Sequence, residues 1–168
     1  MAVTLQQIRH RSDTFFVPMN EVRSGPWSAG LQFLATEGLN GCTAVAVMSE
    51  YGAILAHIAP RTSTRTGDQD VRDLMAEVVC HFGMGRAAGL FPDATGIVLA
   101  AVHENEVALS DTVRVIKAVF ERLGVPVRFG TYRVRGQGEM RARGETSIFI
   151  HGRSGMTPQT YVNDIGMH

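Results

Sequence analysis

The chain is poor in cysteine and has no long apolar run. It holds two cysteines in 168 residues, Cys42 and Cys80, which are too few for a disulfide framework. No stretch approaches the roughly 18 consecutive apolar residues of a membrane span, and residues 1–16 lack the apolar core of a signal peptide. We therefore expect no membrane partner, no Sec signal peptide and a reducing, cytoplasmic location. Whether the protein acts in its own cell or is delivered to a host cytosol stays open.

Net charge is also absent. Sixteen basic residues offset sixteen acidic residues, and aromatic residues make up 7% of the chain. Nucleic-acid binding depends on a positive surface, and the binding of single strands adds aromatic side chains, so this composition argues against a nucleic-acid partner. Lysine is almost missing, since Lys117 is the only one. A GC-rich genome or a toxin that escapes ubiquitination on lysine would each explain that bias.

The chain does have the apolar content of a folded domain, 45%, in a length typical of one domain. No linker or repeat divides it, so we predict a single domain over residues 1–168. Two segments carry apolar residues at helical spacing, one after Asp68 or Asp70 and one after Ser110 or Asp111. Apolar runs bounded by turn residues predict strands at 13–17, 30–36, 42–49, 52–59, 96–102, 125–135 and 146–152.

The order of these elements predicts the fold class. Strands cluster instead of alternating regularly with helices, which favours an α+β domain: a mostly antiparallel β-sandwich flanked by two or more helices. The segments 42–49 and 52–59 are apolar on both faces, so they should form a tight hairpin in the middle of the protein. Residues 25–28 (GPWS) have the composition of a turn.

The predicted central hairpin opens with Cys42 and closes near His57. A two- or four-residue turn makes the numbers of paired residues sum to 101, so that His57 lies opposite Ala44 and diagonal to Cys42 on one face. Such diagonal neighbours have Cβ atoms within about 8 Å, a gap that an imidazole can largely bridge. A three-residue turn would put the two side chains on opposite faces. A small buried thiol and a core histidine with no catalytic role fit the same pattern.

In a catalytic interpretation, each residue of this region has a task. A thiol is mostly protonated at neutral pH, and a nearby imidazole can take its proton and stabilise the thiolate. The glycine before Cys42 permits a tight turn in which the backbone amides of Asn40, Gly41 and Cys42 point at one place, as an oxyanion hole requires. The imidazole needs an orienting group, and the hydroxyl of Thr36 is a candidate.

The residues around this pair also match a known pattern. Segment 36–60, TEGLNGCTAVAVMSEYGAILAHIAP, resembles the cysteine-dependent glutamine deamidase superfamily, which includes the catalytic domain of cytotoxic necrotizing factors, the chemoreceptor deamidase CheD and Burkholderia lethal factor. Those proteins share a glycine-cysteine turn, in some cases with a threonine six residues earlier, and a histidine on the next strand. The matching positions here are Gly41-Cys42, Thr36 and His57. Asn40 departs from the toxin motif, where serine is usual.

The resemblance implies a β-sandwich flanked by helices and the deamidation of a protein glutamine to glutamate through a thioester. An amine in place of water would give transglutamination. Cys42 would be the nucleophile, His57 the base and Thr36 the third member of the catalytic set, with no cofactor or metal. The partner would be a protein substrate that bears a glutamine. Two other functions stay open: a non-catalytic binding module on the same fold, and a cysteine hydrolase of small amides or esters. The oligomeric state is not predicted.

Other candidate motifs are weaker. Residues 83–89 (GMGRAAG) imitate a dinucleotide fingerprint but end a helix instead of opening one. Cys80 and His81 are adjacent on a predicted helix, where neighbours in sequence do not face each other, and Cys80 should lie on its polar side. The sequence has no spacing typical of a metal site. A predicted hairpin around GQGE carries arginines that fit a charged edge strand or a site for an acidic partner: Arg133, Arg135, Arg141 and Arg143.

Overall fold

Two stacked β-sheets and three helices make up the computed structural model, which describes residues 3–59, 69–103, 106–107, 110–134 and 146–167. In chain order the elements are α1 (Leu5–Ile8), β1 (Thr14–Phe16), β2 (Glu21–Pro26), β3 (Phe33–Thr36), β4 (Thr43–Met48), β5 (Gly52–Ile58), α2 (Gln69–Ala87), β6 (Thr95–His103), β7 (Glu106–Val107), α3 (Ser110–Leu123), β8 (Val127–Arg133), β9 (Ile148–His151), β10 (Gln159–Val162) and β11 (Ile165–Met167).

The larger sheet, called the central sheet below, has the strand order β2-β5-β4-β6-β7, and β8 also pairs with β6. The smaller, outer sheet has the order β1-β3-β9-β10-β11. Among the described strands, β1–β3 and β6–β8 pair in parallel and the other neighbours pair antiparallel. The prediction of a mostly antiparallel α+β sandwich flanked by two or more helices is therefore confirmed.

Three apolar layers hold the sheets and helices together. One face of the central sheet packs under α2 and α3 through residues such as Val45, Val47 and Phe120. Its other face packs on the outer sheet, where Ala44 and Ala46 meet a core that includes Leu34 and Ile150. A third layer lies between α1 and the far side of the outer sheet. Because β4 and β5 are covered on both faces, every residue in them is buried, as the unbroken apolar runs predict.

The hairpin register is the predicted one. Ala44 pairs with His57 and Met48 with Ala53, and the Ser49 amide donates to the Gly52 carbonyl across the turn at 2.9 Å. The helices also follow the predicted apolar positions, since Val71, Leu74, Met75, Val78 and Phe82 of α2 are buried. The turn prediction for residues 25–28 is wrong, because Gly25 and Pro26 belong to β2. Pro26 is tolerated there because β2 is an edge strand, where a missing N–H leaves no ladder bond unmade.

Some elements were not predicted from the sequence, and some predictions concern residues outside the described ranges. The short helix α1 and the hairpin of β10 and β11 were not expected, and their residues give no periodic signal of useful length. The hairpin predicted around GQGE lies outside the described residues, as do Arg135, Arg141 and Arg143. The single-domain boundary of 1–168 stays a prediction. No helix in the described ranges is both long and apolar enough to cross a bilayer.

Candidate active site

Three of the residues singled out in the sequence converge at one end of the sandwich. Cys42 directly precedes β4, and His57 lies in β5 opposite Ala44. Thr36 is the last residue of β3 in the outer sheet. The Thr36 hydroxyl lies 2.7 Å from Nδ1 of His57, so one hydrogen bond joins the two sheets at this point. Cys42 and Ala44 share the inter-sheet core, which places Cys42 on the same face as His57.

The bonds of Thr36 fix the tautomer of His57. Oγ1 of Thr36 lies 2.7 Å from the carbonyl oxygen of Val17, which can only accept, so the single hydroxyl proton is used there. The remaining bond must then run from Nδ1–H of His57 to the Thr36 oxygen. Nε2 is left as the nitrogen with the free lone pair, and it is buried with no hydrogen-bond partner among the described residues. An imidazole held in this way can accept a proton at Nε2 and so act as a general base.

The thiol of Cys42 is buried and covered. The residue is 4% exposed, and its Sγ lies 3.9 Å from Sδ of Met19, which is 56% exposed. Burial raises the pKa of the Cys42 thiol, while a hydrogen bond from the Asn40 backbone acts to lower it. Because that bond favours the thiolate, the Asn40 amide must donate toward the sulfur.

Cys42 and His57 are not hydrogen-bonded to each other in this state. The thiol is directed at Met19, and Nε2 of His57 has no partner within the described chain. Burial lowers the pKa of His57 from its usual 6.5, so the imidazole is neutral near pH 7. The pair therefore rests as a neutral thiol beside a neutral base on diagonal positions of one sheet face. Proton transfer between them therefore requires the thiol to leave its contact with Met19 and approach Nε2 of His57.

Tyr132, a residue that sequence analysis did not single out, braces the turn before the cysteine. Its hydroxyl accepts from the Gly41 amide at 2.9 Å and donates to the Cys42 carbonyl at 2.6 Å. The Gly41 amide is thus already engaged, which leaves the predicted oxyanion contribution of Gly41 without a free donor in this structure. The Asn40 backbone, by contrast, forms a hydrogen bond with the Cys42 thiol.

The rest of the turn is held at several points. Gly38 and Gly41 have φ values of 72° and 95°, conformations that glycine adopts without strain. Between them Leu39 is fully buried, and its amide donates to the Thr146 carbonyl at 3.0 Å. Before them, Glu37 forms a two-pronged ion pair with Arg9, at 2.6 and 2.5 Å. A turn fixed in this way presents the cysteine at a constant position.

A cleft of about 640 Å³ lies far from these residues. It is bordered by the ends of α2 and α3 and by Thr95, the first residue of β6. Tyr132, which contacts Cys42, pairs with Ala101 near the other end of β6. Six residues of strand separate the two positions, which is about 20 Å. The cleft is therefore not the entrance to Cys42.

The other sequence candidates have plain structural settings. Cys80 is exposed on α2, as its position opposite the apolar stripe predicts. Its neighbour His81 contacts the Ser24 hydroxyl through Nδ1 at 2.5 Å, which ties α2 to the edge strand β2. Residues 83–87 end α2 and do not open a helix after a strand, so the dinucleotide interpretation stays rejected. Within the described ranges, histidine, cysteine and acidic side chains form no group of three able to hold a metal ion.

No protein-family model matches the chain, and no curated protein matches its sequence. The geometry of the site and the resemblance of segment 36–60 are therefore what bear on function.

Proposed function

We propose that this protein is a cysteine-dependent amidohydrolase that deamidates a glutamine side chain of a protein substrate. The proposal rests above all on the hydrogen-bond chain from Val17 through Thr36 to His57. That chain leaves a buried basic nitrogen on the sheet face that carries Cys42. Nε2 of His151 is also buried without a hydrogen-bond partner among the described residues, so the unpaired Nε2 of His57 supports the proposal through its fixed tautomer and its place on the Cys42 face. The choice of glutamine comes from the resemblance of segment 36–60 to the glutamine deamidases.

The first chemical step is a proton transfer. The Cys42 S–H gives its proton to Nε2 of His57, and the sulfur attacks the carbon of the substrate carboxamide. The imidazolium keeps its Nδ1–H bond to Thr36, so the ring holds its orientation in both protonation states. The C=O bond becomes a C–O⁻ in the tetrahedral intermediate, and the Asn40 backbone, which hydrogen-bonds the Cys42 thiol, supplies the candidate donor to that charge.

Collapse of the intermediate completes the cycle. His57 returns its proton to the departing nitrogen, ammonia leaves, and a thioester remains on Cys42. Water then gives a proton to His57 and attacks the thioester carbonyl, which releases glutamate and restores the thiol. The balance is one carboxamide and one water to one carboxylic acid and one ammonia. A primary amine that replaces water would leave a substituted amide, the transglutamination product.

Mass spectrometry of glutamine-containing peptides incubated with the protein tests this function. Each turnover adds roughly 1 Da to the substrate and releases one ammonia. We expect the gain with the wild-type protein and its loss with Cys42→Ala, whose fold should persist because alanine fills most of the space of a buried thiol. Peptides in which asparagine replaces glutamine are the matched control for substrate. Equal mass gain with Cys42→Ala would end the proposal.

One observation favours the non-catalytic alternative. The thiol and the imidazole are both neutral and not bonded to each other, which is also how an inert buried pair would look. Under that alternative the protein has no turnover, and Cys42→Ala should leave the affinity for its partner unchanged. A partner that binds Cys42→Ala as tightly as the wild type, with no mass change in either case, would support a binding module.

A further inference from the structure

The thioether of Met19 occupies the approach to the Cys42 thiol. Sγ and Sδ are 3.9 Å apart, and the exposed methionine lies on the solvent side of the buried cysteine. An attacking sulfur needs the reacting carbon within roughly 3.5 Å. On this side of the thiol, a substrate carbonyl reaches that distance when the Met19 side chain moves away.

The backbone on either side of Met19 is fixed. Val17 donates to the Ala35 carbonyl and accepts from the Thr36 hydroxyl, both at 2.7 Å. Asn20 donates to the His57 carbonyl at 2.7 Å, and its side-chain oxygen accepts from the Ala59 amide at 3.1 Å. These bonds tie the two ends of the connection to the outer and the central sheet, next to Thr36 and His57.

The connection between these anchors is a tight turn. The Glu21 amide donates to the Pro18 carbonyl at 3.2 Å, and Asn20 has a φ of 63°. A type II turn requires a positive φ at its third residue, a place that asparagine accepts. Met19 is the second residue of this turn, so its backbone is held while the residue itself is 56% exposed. The cover can therefore open by side-chain rotation alone, and methionine has three rotatable bonds for it.

We propose that the Met19 side chain controls access to the Cys42 thiol. The turn backbone stays in place while the thioether rotates, so the thiol alternates between a covered state and an open state that a reagent or a substrate carbonyl can reach. The inference applies to any reagent that attacks the thiol, and it therefore stands apart from the proposed function.

Alkylation of Cys42 tests access without depending on any enzymatic activity. In a Cys80→Ser background, Cys42 is the only thiol, and intact-mass measurements give its rate constant with iodoacetamide. Because reactivity follows the population of the open state, Met19→Ala should raise this rate about tenfold. Met19→Leu, which keeps the bulk, and Met84→Ala, an exposed methionine on α2, should stay near the background rate. An unchanged rate in Met19→Ala would overturn the inference.

Peptide deamidation with the same variants separates this inference from the proposed function. Met19→Ala should raise kcat/KM for glutamine peptides, and Met84→Ala should leave it unchanged. Faster alkylation of Met19→Ala with no amide hydrolysis in any variant would refute the proposed function and keep the access role. Deamidation with an unchanged alkylation rate in Met19→Ala would refute the access role and keep the proposed function.

Discussion

The two cysteines of this protein lie in opposite surroundings. Cys80 is exposed on a helix next to His81, whose Nδ1 is bound to Ser24. Cys42 is buried beneath Met19, on the sheet face where Nε2 of His57 has no hydrogen-bond partner among the described residues. By accessibility alone, Cys80 would be the reactive thiol. The comparison teaches that a candidate nucleophile is recognised by a nearby oriented base and by a backbone turn with a fixed conformation. Solvent exposure of the thiol is a separate property.

The largest expected effect comes from removing the histidine beside each cysteine. His57→Gln should lower kcat for deamidation by on the order of 10² to 10³, because the general base is lost. His81→Gln is the matched change beside Cys80 and should leave kcat within about twofold, since the helix places its ring away from any reacting group. Measurement of ammonia release at pH 7 compares the two variants. A similar loss in both would remove the distinction between the two thiols.

A smaller effect is expected from the residue that orients the base. Thr36→Val keeps the shape of the side chain but removes the acceptor for Nδ1–H, so the fixed tautomer is lost. We expect kcat to fall about tenfold, the equivalent of one hydrogen bond, while Thr36→Ser should keep most of the activity. The pH dependence of kcat separates this from simple instability, because its acid limb should shift in Thr36→Val only. Equal losses in the two variants would contradict the role given to Thr36.

Stability should respond to Tyr132 more than to a comparable tyrosine elsewhere. Tyr132→Phe leaves the Gly41 amide and the Cys42 carbonyl without their shared partner, at a cost of about 1–3 kcal/mol in the free energy of unfolding. Tyr161→Phe is the control, since its hydroxyl contacts the exposed side chain of Gln159, which water can satisfy. Urea denaturation of both variants measures the difference. An equal loss would show that Tyr132 does not brace the turn.

The smallest expected effect is a dependence of stability on pH. Burial lowers the pKa of His57 in the folded protein below 6.5, so the unfolded chain binds a proton more readily. The stabilising contribution is present above pH 6.5 and is lost as the pH falls through the folded pKa. His151, whose pKa burial also lowers, adds a term of the same sign. We expect His57→Gln and His151→Gln each to flatten the decline in unfolding free energy between pH 7 and about pH 5. An unaltered slope in His57→Gln would contradict its buried, neutral state.

Much of the fold and part of the site could be predicted because they depend on local patterns. The even-length turn after Ser49 fixes which residues face each other, and that register alone puts His57 on the Cys42 face. The contact between Thr36 and His57 was expected from the hydroxyl of Thr36 at the end of the preceding strand as well as from the family resemblance. It requires the two sheets to pack at that point.

The contacts of Tyr132 and Met19 could not be predicted in this way. Tyr132 is 90 residues from Cys42 and reaches it only because β8 adds in parallel beside β6. Met19 covers the thiol because the chain crosses from one sheet to the other just there. Both depend on the stacking order of strands, for which a single sequence holds no periodic signal.

The bond between Thr36 and His57 has a consequence for how the protein would fail under stress. Its two partners belong to different sheets, so any sliding of one layer over the other misaligns the imidazole while each sheet keeps its own ladder of backbone bonds. Mild denaturant should therefore abolish catalysis before it changes the far-ultraviolet signal of the strands. The denaturant concentration at which activity is lost would then report on the packing between the two sheets.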